Sequence, residues 1–193
     1  MTLARKTPTM IRKSLSSAAA VLALVSLTMT PGLGRQWNPD ARGAALDYTQ
    51  IVHAKAPGEV VVVWWVTPQA FPPGVTDPVI QDVLSRYVVL GIAHGRTGTT
   101  GQMSFDQIAD LRIADSTARS LAALPSNAMP PEVAQTIGGL QALGRQSLGP
   151  IGQGLRWFVF DGSTIHSCAA GKFSVPLEGE TYTYDTPIPG CPK

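Results

Sequence analysis

From Glu59 to Thr67 the chain reads Glu-Val-Val-Val-Val-Trp-Trp-Val-Thr, an apolar run with no polar residue in alternate positions. A strand with one wet face alternates apolar and polar side chains. An unbroken β-branched and aromatic run therefore predicts a strand buried on both faces, at the centre of a sheet covered on each side. Successive side chains of a strand point to opposite faces, so Trp64 and Trp65 part company: one stays in the core, and the other packs beneath a helix or lines a groove. Ala45 to His53 is a weaker strand before this run, ended by Ala56-Pro57-Gly58, and Tyr87 to Ala93 returns as a second apolar strand. Pro68 to Pro78 reads as loop; within it, Asp77 as N-cap with Pro78 in the first helical position predicts a short helix to about Arg86.

The pattern weakens from His94, where His-Gly-Arg-Thr-Gly-Thr-Thr-Gly-Gln to Gln102 reads as a polar loop. Leu111 and Ile113 alternate with Arg112 and Ala114 in a half-exposed strand, which Asp115-Ser116-Thr117 turns into Arg119 to Leu124. In Glu132 to Leu148 the apolar residues Val133, Ile137, Leu140 and Leu143 fall on one helical face. Gly138-Gly139 weaken that helix by about 1 kcal/mol per glycine, which predicts a bend. Asp161-Gly162, set between Leu155 to Phe160 and Ser163 to Cys168, predicts a two-residue type I′ hairpin. Lys172 to Leu177 and Glu180 to Tyr184 are further strands. Seven or eight short strands, Gly/Pro turns and one substantial helix predict a mainly β fold: an antiparallel, immunoglobulin-like β-sandwich with one inserted amphipathic helix. The alternative is a compact α+β fold with one helix-covered antiparallel sheet.

The N-terminus changes the picture of where this fold works. Arg5, Lys6, Arg12 and Lys13 precede an uncharged run from Ser14 to Gly34, whose apolar heart is right for a signal peptide and short for a membrane span. Residues 1–34 are thus expected to be a signal peptide, with Gly32-Leu33-Gly34 the best cleavage site, and 35–193 a single β-rich extracytoplasmic domain. An uncleaved anchor is the alternative. Cleavage removes four of the 15 basic residues and none of the 13 acidic ones, leaving 11 against 13 and a formal charge of −2. With no Lys/Arg cluster, the mature domain lacks the footprint that phosphate binding needs, which argues against nucleic acid. No membrane span is expected after signal removal. Charged residues make up 15% of the chain, below the usual value of roughly 25%, so apolar surface is either tolerated or covered by a partner.

Cys168 and Cys191 are the only cysteines. In an oxidising compartment an isolated pair forms a structural disulfide; closing a loop of about 24 residues contributes roughly 3 kcal/mol in the chain-entropy model. His53, His94 and His166 have no second His or Cys at metal-ligand spacing, although His94 with Met103 would suit a soft metal. The glycines from Gly95 to Gly101 lack the Gly-Lys-Ser/Thr ending of a phosphate loop, and no nucleophile elbow or His-Glu-x-x-His occurs. Acidic pairs such as Asp106/Asp110 or Glu178/Glu180 would serve a glycosidase only at the right separation in space. No catalytic residue, metal or cofactor is assigned.

Phe71, on a loop between Gln69-Ala70 and Pro72-Pro73-Gly74, has no packing reason in the sequence, and exposed aromatics are typical contact anchors. With Arg96 on the glycine-rich loop and Trp65, it completes the candidate binding residues. The expected function is a non-enzymatic binding or accessory module contacting an envelope protein partner, in the periplasm or secreted. The competing expectation is a small-ligand or metal carrier, or a hydrolase, with a pocket between the sheet and helix 132–148.

Overall fold

In a computed structural model of the chain, residues 57–71 and 77–192 are described in full, and residues 35–37 and 49–53 by their backbone. The chain divides into two units, Met1–Pro31 and Gly32–Lys193. All described residues belong to the second, and the predicted signal segment 1–34 lies outside them. In chain order the elements are β1 (Arg35–Trp37), β2 (Thr49–His53), β3 (Glu59–Val66), α1 (Pro78–Arg86), β4 (Tyr87–Thr97), β5 (Met103–Phe105), β6 (Arg112–Ala114), β7 (Ser120–Ala122), α2 (Pro131–Gly154), β8 (Arg156–Asp161), β9 (Gly171–Leu177) and β10 (Glu180–Thr186).

The strands form two sheets, one ordered β1-β10-β9-β6-β7 and the other β2-β3-β4-β5, with β8 also paired to β4. β8 runs beside the first half of β4 and β5 beside its last residues. Pairing is antiparallel except for β1 against β10. The fold is thus mixed α+β with β predominating, two antiparallel sheets plus two helices among the described residues. The strand order does not establish the immunoglobulin-like arrangement expected from strand count.

β3 is the buried strand its composition predicts, with every residue from Val61 to Val66 buried. Trp65 faces the first sheet, edge-on to Phe173 and Tyr184 at ring-centroid distances of 4.7 and 5.5 Å. Tyr184 donates its hydroxyl proton to the Val63 carbonyl at 3.0 Å, and burial pushes its ionisation well above the ordinary tyrosine range. Trp64 faces the other way and meets Trp157 at 5.5 Å. Gly91 lies between them in the strand register, and a Cβ there would stand 3.0 Å from the Trp157 ring. The absent side chain is what lets the indole lie across β4. Helix α2 closes over this side: a Cβ at Gly144 would touch Leu155 and Trp157. Among the described residues no helix is long and apolar enough to cross a membrane.

Helix α1 begins as predicted, with the Asp77 carboxylate accepting from the Val79 amide at 2.8 Å. Other local readings are corrected. The bend expected at Gly138-Gly139 falls instead at Gly149, whose φ of 54° precedes Pro150, because proline excludes helical geometry from the residue before it. The hairpin expected at Asp161-Gly162 does not form, and residues 163–168 are irregular. Asp161 accepts from the Ser163 amide, while Gly162 donates its own to the Arg86 carbonyl at the end of α1, where a Cβ would come within 2.4 Å of that oxygen. The glycine permits close approach of two backbones rather than a tight turn. The two-residue turn lies between β9 and β10, where Glu178 and Gly179 both have positive φ, 52° and 76°.

The disulfide Cys168–Cys191 is formed, with Cα atoms 5.3 Å apart. It ties the C-terminal tail to the irregular segment after β8 rather than to a strand, and the Ile188 amide donates to the Ser167 carbonyl alongside it.

Two expectations test this packing by urea denaturation. Gly162→Ala forces a methyl group against the Arg86 carbonyl and should lower stability by about 1–3 kcal/mol. Gly138→Ala, with nothing within 4 Å of the added carbon, should raise it by up to about 1 kcal/mol. Asp115 provides a pH test. Its carboxylate accepts from Thr117 Oγ1, the Thr117 amide and the Arg119 amide, and these bonds hold its ionisation below the ordinary carboxylate range. A group whose folded-state value is depressed stabilises the fold above its unfolded value and loses that contribution as pH falls. Stability should decline on acidification through the carboxylate range, and Asp115→Asn should flatten that decline.

Candidate functional site

The strand register assembles a charged group at one end of the two sheets. β3 and β4 are antiparallel with Glu59 opposite Arg96 and Val61 opposite His94, so the two-residue period of a strand puts Glu59, His94 and Arg96 on one face. That is the face on which Trp65 meets the first sheet. Asp106, just after β5, is held by its amide, which donates to the His94 carbonyl at 2.9 Å. The turn between β9 and β10 brings in Glu178 from the other sheet. The cluster occupies the seam where the inter-sheet core opens to solvent.

His94 is the buried centre, 1% exposed. Its Nε2 stands 2.5 Å from Glu59 Oε1, which is itself 14% exposed. On the ring's other side, Nδ1 lies 3.0 Å from Asp106 Oδ2 and 3.7 Å from Glu178 Oε1. Both contacts pair the ring with a carboxylate, and Nδ1 makes no other polar contact among the described residues despite its burial. The Arg96 guanidinium bonds Asp106 Oδ2 at 3.0 Å and approaches Glu59 Oε1 at 3.8 Å. Among the described residues, three carboxylates and one guanidinium thus surround the imidazole. Glu178 holds its place in a left-handed backbone conformation, φ 52°, where hairpin turns of this type prefer Asn, Asp or Gly.

Beside the cluster, β4 runs on into a hairpin whose residues 96–102 are all exposed. The Gly98 amide donates to the Gln102 carbonyl and the Gly101 amide to the Gly98 carbonyl, with Gly101 at φ 79°. This is a three-residue hairpin loop closed by a left-handed glycine. The stretch expected to be loop from His94 is therefore strand as far as Thr97.

The candidate residues chosen from sequence do not meet at one place. Arg96 is part of the cluster. Trp65 is core, enclosed by Phe173 and Tyr184. Phe71 follows β3 at the end opposite Glu59; it is half-buried and packs against the core, which supplies the packing reason the sequence lacked. Met103 packs beside Gly95, on the sheet face opposite His94, so the two are not partners. Asp106 and Glu178 converge, each without its sequence-neighbour partner Asp110 or Glu180. The side chain of His53 lies outside the described residues. His166 is exposed and lines a depression of about 350 Å³ with Ser85, Arg86, Asp161 and Ser163, none of them on helix α2. Between α2 and the sheet, Val133, Leu140, Leu155 and Trp157 pack together with the β3 and β4 side chains. Among the described residues no group of three His, Cys, Asp or Glu side chains is arranged to hold a metal ion.

Glu59 is the site residue that sequence reasoning overlooked. Its signal was its position, a lone carboxylate opening an otherwise apolar strand, but its meaning depended on the register with β4.

The buried contact between Glu59 and His94 is open to measurement. Glu59→Ala should leave the His94 Nε2 proton without its acceptor and lower stability by about 1–3 kcal/mol in urea denaturation. A change within a few tenths of a kcal/mol, of the size usual for surface substitutions, would mean that the contact contributes nothing.

No protein-family model, curated protein or solved structure matches the chain.

Proposed function

We propose that the chain is an extracytoplasmic, non-enzymatic binding or accessory module, exported by its N-terminal segment and working in the periplasm or as a secreted protein against an envelope protein partner. The observation that carries the reading is the exposed hairpin 96–102 beside the rim of Arg96, Asp106 and Glu178. Loops held out from a rigid scaffold are where proteins make their contacts. This hairpin stands on β4, whose buried residues Val88 to Gly95 anchor it in the core.

The disulfide supports the compartment, since such bonds persist in oxidising surroundings. The packed side chains between α2 and the sheet favour a contact surface over an enclosed ligand pocket there. Phe71, packed on the core, is better suited to supporting its loop than to anchoring a partner.

A photocrosslinking amino acid at Thr100, in the protein expressed in its own envelope, tests the reading. One dominant protein adduct is expected from Thr100 and none from the same probe at Gln153, which is exposed on α2. Absence of a Thr100 adduct, or the same adducts from both positions, would overturn it.

A further inference from the structure

We propose that the depression around His166 binds a neutral pyranose, a sugar ring either free or at the end of a glycan chain. The depression includes Tyr87 at the start of β4, whereas the hairpin 96–102 continues the other end of that strand, so the inference goes beyond the contact surface proposed above. Its volume, about 350 Å³, lies within the range of small-ligand sites, roughly 300–1,000 Å³.

The wall of the depression is fixed before any ligand arrives. The segment 161–168 forgoes the hairpin that Asp161-Gly162 favours and is tied down along its length. The Gly162 amide donates to the Arg86 carbonyl, the Ser163 amide to the Asp161 carboxylate, and the Ile165 amide to the Gly162 carbonyl. The Ser167 carbonyl accepts from Ile188, and Cys168 is bonded to Cys191. His166 stands between the buried Ile165 and Ser167, yet its own side chain is exposed and makes no hydrogen bond or ion pair among the described residues. A group held in place by its neighbours and left without a partner needs little further ordering to bind.

The lining selects the chemistry of the ligand. The Ser85 and Ser163 hydroxyls spend their protons inside the protein, on the Asp82 carbonyl and the Asp161 carboxylate, and offer lone pairs outward with Asp161 itself. Arg86 has five N–H donors and uses only part of them on Asp82, and His166 adds at least one donor in any protonation state. An anion finds no surplus positive charge, because Asp82 and Glu132 offset Arg86 and Asp161 adjoins them. A cation cannot accept from Arg86 and is repelled by it. An apolar ligand leaves these groups unpaired. Hydroxyl groups both donate and accept without charge, so a sugar answers donors and acceptors alike. The Tyr87 ring, which also lines the depression, supplies the apolar surface for the C–H face of a pyranose.

The test uses the protein as the cell makes it, labelled uniformly with ¹⁵N and titrated with the methyl glycosides of glucose, galactose, mannose and N-acetylglucosamine while the amide signals of residues 162–166 are followed by NMR. At least one glycoside should shift them saturably, with a Kd of about 1 mM or weaker, as suits one small ligand at an open site. His166→Ala and Asp161→Asn, both at exposed positions, should each weaken that binding about tenfold, the loss of one hydrogen bond. The tetrasaccharide of the best-bound sugar separates the two sources: tighter binding than the glycoside supports a chain end, and equal binding supports a free sugar. Any of four results would overturn the proposal: no saturable shift with any glycoside up to about 100 mM, an equal shift with glycerol, a shift with sodium phosphate or n-butylammonium chloride but none with the glycosides, or undiminished binding in both variants. The Thr100 crosslink reports the other surface, so either reading can fail without the other.

Discussion

The architecture depends on one constraint: β3 has no wet face. From Val61 to Val66 every side chain is buried, so both sides of the strand must be covered by something the same chain supplies. One cover is the first sheet, through Phe173 and Tyr184 against Trp65. The other is helical, over Trp64 and Trp157. The two covers need different surfaces. A flat aromatic cluster meets the sheet, with the Phe173 and Tyr184 rings stacked 4.9 Å apart. The helical side instead needs glycines, at 91 and 144, to bring indole, strand and helix within contact distance.

The same constraint explains the placement of the charged cluster. A core filled between two sheets must end somewhere, and at its end the alternation of β3 and β4 still directs side chains inward. Glu59, His94 and Arg96 occupy those last inward positions. His94 is buried as deeply as the apolar residues around it, yet its partners are carboxylates with solvent-facing surface. The cluster is a polar continuation of the hydrophobic core, in register with it.

Much of the fold was legible because its signals are local. An unbroken apolar run, an Asp-Pro helix start and an isolated cysteine pair each carry their cause within a few residues or within the compartment. Dipeptide signals were less secure. Asp161-Gly162 has the composition of a hairpin turn, but the same glycine also answers the close approach of the Arg86 backbone, 76 positions earlier in number and unreadable from the sequence around it. His94 and Arg96 read as loop because a glycine-rich tip follows them, whereas pairing with β3 draws them into the sheet. The cluster was legible only in fragments: His94, Asp106 and Glu178 stood out one by one, and their meeting depends on strand register and on contact between two sheets.

The conformation of Glu178 has a consequence for how such a chain changes under selection. A left-handed turn position is filled more comfortably by Asn or Gly, so a lineage selected for thermal endurance alone would drift toward those residues and improve its hairpin. The same drift would dismantle the acidic wall beside His94 without disturbing any core contact. Position 178 therefore sets the stability of the hairpin against the acidic wall. Which residue a descendant carries there records which of the two demands its environment has rewarded.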